Sequence, residues 1–313
     1  MNETQVYPLV TFALFAYNQE KFIRDAVEGA LGQKYAKLEI IFSDDCSNDN
    51  TFEIINTLVS NYTGPHEIIV NRNSVNLGLA KHFSKIVATA RGEIVVVGAG
   101  DDISLPTRVS KTVEMLSSDP KAAFASFTDT VIDEDGAVCS KPRTKSKGTL
   151  TKVTLEDYIE GYAPPLSGAS RGYKKKVFEL FGDIDEHCPT EDTPSVLRGL
   201  MMGYALVSSE CGIYYRQHST NLSGPASLHS MKFEEIKKQY LRDADFAQAT
   251  GVIEKVDGEK IIKWAERNYR HRLLTKEYYF SSNKIKFYCQ NIILSKDYKF
   301  REKLGLIRRL IQS

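Results

Sequence analysis

Two pairs of adjacent aspartates, Asp44-Asp45 and Asp101-Asp102, each follow an apolar, β-branched run: Leu38-Glu39-Ile40-Ile41-Phe42-Ser43 and Glu93-Ile94-Val95-Val96-Val97. Adjacent carboxylates repel unless a cation lies between them or each has its own partner. Short apolar runs bounded by turn residues read as buried strands, and open α/β sheets bind ligands at the carboxyl ends of their strands. Hard cations are bound by few carboxylates together with substrate phosphates. A phosphate-bearing donor held through Mn²⁺ or Mg²⁺ is therefore one reading of Gly98-Ala99-Gly100-Asp101-Asp102. The other is a solvated pair ahead of a helix that begins near Pro106. Tyr17 follows a further apolar run, residues 9–15. An aromatic ring, an acceptor for a base N–H and a metal carboxylate at three strand ends are what a nucleoside diphosphate site requires.

The elements that must position these residues alternate. Strands are predicted over 9–15, 38–43, 67–71 and 93–97, and helices over 20–31, 51–61 and 79–90, from runs of period two or continuous apolar character against spacing of 3.6. Crossovers of that length call for a parallel α/β sheet covered on both faces. Further along, the pattern predicts a helix at 107–116, a strand at 122–127, a hairpin tip at Asp133-Glu134-Asp135-Gly136, and a loop at 141–152. Helices at 174–181 and 193–202 follow, then short strands at 205–209 and 212–215, and charged helices from 232 onward.

The chain has 313 residues and a net charge of +1, which excludes a general polyanion or nucleic-acid binder. Charge is nevertheless uneven. Residues 230–313 hold 19 basic against 11 acidic side chains, so an acidic body carries a basic tail. Five scattered cysteines form no C-x-x-C pair, which argues against a disulfide framework or zinc cluster and fits a reducing cytoplasm. The polar start and the lack of a long apolar run predict neither a secretory leader nor a membrane span.

Residues 9–51, LVTFALFAYNQEKFIRDAVEGALGQKYAKLEIIFSDDCSNDNT, resemble the opening of the family 2 glycosyltransferases of the GT-A fold. The resemblance continues through Asn76-Leu77-Gly78-Leu79-Ala80-Lys81, Gly100-Asp101-Asp102, Glu191-Asp192 and Tyr215-Arg216-Gln217-His218. It implies a Rossmann-like, mostly parallel α/β sheet over residues 1–223; residues 224–313, read from their own pattern as a basic helical extension, lie outside it. It also implies roles. Tyr17, with Phe15 and Ala16, lies against the base of a nucleotide-sugar, most simply a UDP-sugar. Asp45 accepts the base N–H, Lys81 lies near base or phosphates, and Asp101 contacts ribose or sugar. Asp102 and His218 bind the divalent cation, with Arg216 close by. Asp192 is the general base. Phe15-Ala16 departs from the polar pair many members carry there, so one hydroxyl contact to the base is missing.

The implied reaction is an inverting transfer to a glycan or lipid-linked hydroxyl in bacterial surface polysaccharide, lipopolysaccharide included. Taken without its neighbours, Glu191-Asp192 is ordinary charge at a helix amino terminus. Two other functions fit parts of the pattern: a sugar-phosphate nucleotidyltransferase, although Ala16-Tyr17-Asn18-Gln19 lacks the glycines and basic residue its phosphate loop needs, and a non-catalytic assembly partner. His82, His187, His271 and Trp264 read as surface or packing residues, Lys174-Lys175-Lys176 as solvated, and Asp129 as a candidate for the acceptor side. In the tail, Leu304, Ile307, Leu310 and Ile311 share one helical face beside Lys303, Arg308 and Arg309. Such a face either packs on the body or lies on an anionic membrane, which would make the protein cytoplasmic and peripheral to the inner face.

Overall fold

The structure is a computed structural model. It describes residues 7–139, 149–221 and 225–293, together with 295, 298, 303, 304 and 307. The chain divides into two compact units, Met1–His218 and Ser219–Ser313.

The first unit begins with three βα repeats: β1 (Val10–Ala16), α1 (Ile23–Leu31), β2 (Leu38–Asp44), α2 (Thr51–Ser60), β3 (Glu67–Arg72) and α3 (Leu79–Thr89). β4 (Ile94–Ala99) and the two-residue β5 (Ile103–Ser104) follow, then α4 (Arg108–Ser118) and β6 (Ala122–Ile132). Every residue of β1 and β2 is buried, as continuous apolar runs in the middle of a covered sheet should be. α1 buries Ile23, Ala26, Val27 and Ala30, one stripe at helical spacing. These side chains share a core with Phe12, Leu14, Ile40, Phe42 and Val96.

The second half supplies β7 (Leu150–Val153), α5 (Leu155–Glu160), β8 (Gly172–Lys174), α6 (Lys176–Phe181), α7 (Asp192–Met202) and β9 (Tyr204–Arg216). Strand order is β3-β2-β1-β4-β8-β6-β9-β5, with β7 also on β9. The first four strands are parallel, as predicted. The remainder is mixed, in keeping with a mostly parallel sheet. β8 runs antiparallel to both β4 and β6, and β5 and β7 run antiparallel to β9. β8 has three residues, too few to show a period, and ends where the predicted helix 174–181 begins. The two short strands at 205–215 are one strand, because register shifts against β6 around Phe127, Thr128 and Asp129 absorb the polar break at Ser209-Glu210. α5, not anticipated, has a capping box between Thr154 and Asp157 and ends on Gly161 at φ +72°.

Gly92, just ahead of β4, meets β1 backbone to backbone. A Cβ there would lie 2.3 Å from Thr11 N and 2.7 Å from the Val10 carbonyl carbon. Gly92→Ala is therefore expected to destabilise the first unit by about 2 kcal/mol or more, because the central strand pair cannot part without losing its ladder. Urea unfolding checks this.

In the second unit, α8 (Pro225–Ser230) precedes α9 (Phe233–Ala249), α10 (Lys255–Phe280) and α11 (Lys284–Phe287), which continues as a π-helical turn, Tyr288–Ile292. Tyr240 and Trp264 meet at 5.0 Å between α9 and α10, so Trp264 is a core anchor. Tyr278, Tyr288, Ile292 and Tyr298 form a second cluster, and Ile307 packs on it. Of the predicted tail face, Ile307 thus turns inward while Leu304 is 38% exposed. Arg308, Arg309, Leu310 and Ile311 lie outside the described residues, as does most of the predicted loop 141–152. Among the described residues no helix is long and apolar enough to cross a membrane.

Candidate active site

β1, β2 and β4 are neighbours in the sheet, so their carboxyl ends come side by side. Asp45 N donates to Ala16 O, and Gly100 N donates to Phe15 O, each at 2.9 Å. These two bonds fasten both aspartate pairs to the end of β1. The β1–α1 turn is tied to the β2–α2 turn as well. Asn18 N donates to Ser47 Oγ, Gln19 N to Thr51 Oγ1, and Asn48 N to Asn18 Oδ1. Asn18 and Cys46 both take positive φ, 52° and 63°, a conformation that non-glycine residues seldom adopt outside constrained sites. Tyr17 leaves this scaffold 42% exposed, whereas the Phe15 ring is buried against His82 and Phe83.

Asp45 is almost fully buried and its carboxylate is largely committed. Oδ1 accepts from Asn73 Nδ2 at 2.7 Å and Leu77 N at 3.0 Å, and Oδ2 accepts from Gly78 N at 3.0 Å. An ionised carboxylate has about four acceptor positions, so one remains. The bonds to Leu77 and Gly78 set the start of α3, and Lys81 lies in its first turn. Lys81 Nζ donates to Glu186 Oε2 at 2.5 Å in an exposed pair. His82, behind Asp45, bonds Ser43 Oγ at 2.6 Å, and burial pushes its imidazole toward the neutral form.

Asp101 and Asp102 turn to different partners. Asp101 Oδ2 lies 3.0 Å from His218 Nε2, and Asp102 Oδ1 accepts from Arg216 N at 2.8 Å. The guanidinium of Arg216, itself buried, donates to Asp101 O, Glu134 O and Asp25 Oδ2. It thereby ties the Asp101-Asp102 loop to α1 and to the turn after β6. The sequence reading gave Arg216 no such role, because its partners are scattered along the chain. Burial first, and the Asp101 charge second, push the Asp102 carboxyl well above the usual carboxylate range. Arg108 and the Arg216 amide pull it back, and Asp129 adds to the push. A buried carboxylate beside a second one and an imidazole is a donor set that suits Mn²⁺ or Mg²⁺. Among the described residues no group of three or more His, Cys, Asp or Glu side chains is arranged so as to hold a metal ion.

Asp192 opens α7. Its Oδ1 accepts from Thr190 Oγ1 at 2.6 Å and from Thr193 N at 2.5 Å, which fixes the carboxylate's direction. Arg171 Nη1 donates to the Asp192 carbonyl at 2.8 Å, and the Arg171 carbonyl in turn accepts from Val97 N of β4 at 3.0 Å. One fully buried arginine thus links the helix start to the strand that carries Asp101 and Asp102. No local sequence pattern marks Arg171 for this role. Asp192 and Arg171 line a cavity of about 280 Å³ with Tyr158, Pro164, Leu166 and Thr193.

Glu191 Oε2 is buried without a hydrogen-bond partner. Burial, with the neighbouring Asp192 charge, pushes the Glu191 carboxyl up to about 7. A folded-state value above the unfolded one means that the folded protein holds the proton more tightly. Stability from this site is complete below about pH 4.5 and is lost as pH rises through about 7. Glu191→Gln is expected to stabilise the protein by about 3 kcal/mol at pH 8 and by nothing measurable at pH 4. Urea titrations at the two pH values test it, and an equal effect at both would refute it.

Residues 11–181 match the family model described as glycosyl transferase family 2, which is more than half of the chain. The chain belongs to glycosyl transferase family 2. The family 2 chain is 29% identical to WfaP of Escherichia coli, a UDP-Glc:alpha-D-GlcNAc-diphosphoundecaprenol beta-1,3-glucosyltransferase, over 46% of its own length and 56% of that protein. It spans about a third to about a half of the length of several curated relatives that it matches. Staphylococcus aureus TarS bound to UDP-GlcNAc superposes with a TM-score of 0.63 at 15% identity, covering 97% of this chain and 81% of TarS. A Pyrobaculum calidifontis mannosyltransferase bound to GDP-Man and Mn²⁺ gives 0.57 at 16%, covering 98% and 87%. These superpositions show a GT-A glycosyltransferase fold, an α/β sheet flanked by helices and followed by carboxy-terminal helices. Family membership sets the nucleotidyltransferase reading aside.

Proposed function

We propose that this family 2 protein transfers a sugar, with inversion, from a UDP-sugar to a hydroxyl of a glycan or lipid-linked acceptor in bacterial surface polysaccharide synthesis. The observation that carries the reading is the pinning of both aspartate loops to the end of β1, with Asp192 linked to β4 through Arg171. Tyr17 offers an exposed ring on which a base stacks. The one acceptor position left on Asp45 suits a base with a single imide N–H, as in uracil, better than guanine, which presents two donors to a carboxylate. WfaP is named for a UDP-Glc donor and TarS was solved with UDP-GlcNAc, which supports the same choice. Asp101 is placed for ribose or sugar hydroxyls, and Lys81 for base or phosphates once it leaves Glu186.

Asp102 and His218 would hold a divalent cation, Mn²⁺ or Mg²⁺, with Asp101 bridging to His218. Bound there, the cation supplies charge neutralisation for a diphosphate. The chain's own part is the proton. A sugar hydroxyl is a poor nucleophile near neutral pH, and a carboxylate within hydrogen-bond reach takes its proton as attack proceeds. Asp192 takes that role in this reading, its direction held by Thr190 and Thr193. One base and no enzyme nucleophile give a single displacement, hence inversion at the anomeric carbon.

The test is nucleotide release from UDP-, GDP- and dTDP-sugars with Mn²⁺, with and without a glycan primer. UDP release that rises with primer supports the reading. Release from GDP-sugars alone would overturn the donor assignment, and no release from any would favour a non-catalytic partner. Asp45→Ala is expected to raise the donor KM about tenfold or more, since it removes the base contact and frees the start of α3, while Tm falls by a few degrees.

A further inference from the structure

The segment after α10 carries a wide apolar surface, of which part is buried and part exposed. Tyr288 and Ile292 point into the cluster with Tyr278 and Tyr298. Ile285, Cys289 and Ile293, spaced i, i+4 and i+8, flank those two side chains and are exposed; Ile285 is 66% and Ile293 47% exposed. Phe280, at the end of α10, adds a ring that is 51% exposed. Solvated helices do not ordinarily carry apolar residues at i, i+4 and i+8 on their outer face, so the stripe calls for a partner. Its charge states which kind. Between Glu277 and Asp297 there is no acidic residue, and Lys284, Lys286 and Lys296 punctuate the segment.

We propose that the Ile285–Cys289–Ile293 stripe lies in the plane of an anionic lipid surface, its isoleucines among the acyl chains and Lys284 and Lys286 among the headgroup phosphates. Apolar area and basic charge on one short amphipathic segment are the two terms that drive interfacial binding. A second copy of this chain is the poorer occupant, because it would set lysine against lysine. Three side chains also cover far less than a stable dimer interface needs. The surface differs from the face of residues 304–311, whose Ile307 is packed inward. The proposal does not depend on the transferase reading.

Flotation of the full chain with phosphatidylcholine vesicles, with and without phosphatidylglycerol, tests it. The protein is expected to float only with the anionic vesicles, and less at high salt. Ile285→Ser with Ile293→Ser, and separately Lys284→Gln with Lys286→Gln, are each expected to weaken partitioning by about tenfold or more. These positions are exposed or partly exposed, so unchanged far-ultraviolet circular dichroism and Tm should accompany the loss. Absence of flotation by the unaltered chain, or equal flotation by the variants, would overturn the proposal. So would a light-scattering result in which the same variants abolish a dimer, since the stripe would then be an interface between copies. UDP release without vesicles is expected to be equal in all variants, which keeps this test separate from that of the reaction.

Discussion

Asp192→Asn is expected to lower kcat/KM for sugar transfer by about 10²–10⁴-fold, the range a positioned general base contributes. The substitution is close to isosteric. Asparagine keeps an oxygen to accept from Thr190 Oγ1 and Thr193 N, and the backbone carbonyl bound by Arg171 is untouched. The fold and the donor KM should therefore hold while kcat falls. Thermal shift with UDP and steady-state kinetics on one preparation separate these quantities. A variant that keeps more than about a tenth of wild-type activity would remove Asp192 from the role and turn attention to Glu191, the adjacent carboxyl.

The second large effect concerns the cation. Asp102→Asn, or treatment of the unaltered protein with EDTA, is expected to cost about a hundredfold or more in kcat, since neutralising a leaving diphosphate contributes several kcal/mol. The two treatments act on one object, so combining them should cost no more than the stronger alone. Re-addition of Mn²⁺ should restore the chelated protein but not the variant. Asp102 accepts the Arg216 amide, and asparagine can accept the same bond without burying a charge, so urea stability should not fall. Full activity in EDTA would place the Asp101-Asp102-His218 group in a structural role only.

Much of the framework could be read without coordinates. The first three βα repeats were predicted within a few residues, because continuous apolar strands and 3.6-spaced helices carry strong periodic signals. The ends of those strands located Tyr17, Asp45, Asp101 and Asp102, since the order of elements in a parallel sheet dictates which edge their ends share. The antiparallel half was less legible. β5 has two residues and β8 three, and such segments acquire strand character only from a neighbour already in place.

Composition and local order along the chain were enough to name the carboxylates, the fold class and the charged helical tail. Which groups those carboxylates face came from packing between distant segments. Asp45 is mostly occupied by its own loop, Asp102 is paired with an amide 114 residues away, and Arg171 and Arg216 join pieces with no sequence relation. Likewise the tail's basic, amphipathic character was evident at once, but which apolar side chains stayed exposed depended on the tyrosine cluster that buried the others. The physical reason is range. Propensity and periodicity act between residues a few places apart, whereas hydrogen-bond satisfaction and burial are settled only when remote strands and helices meet.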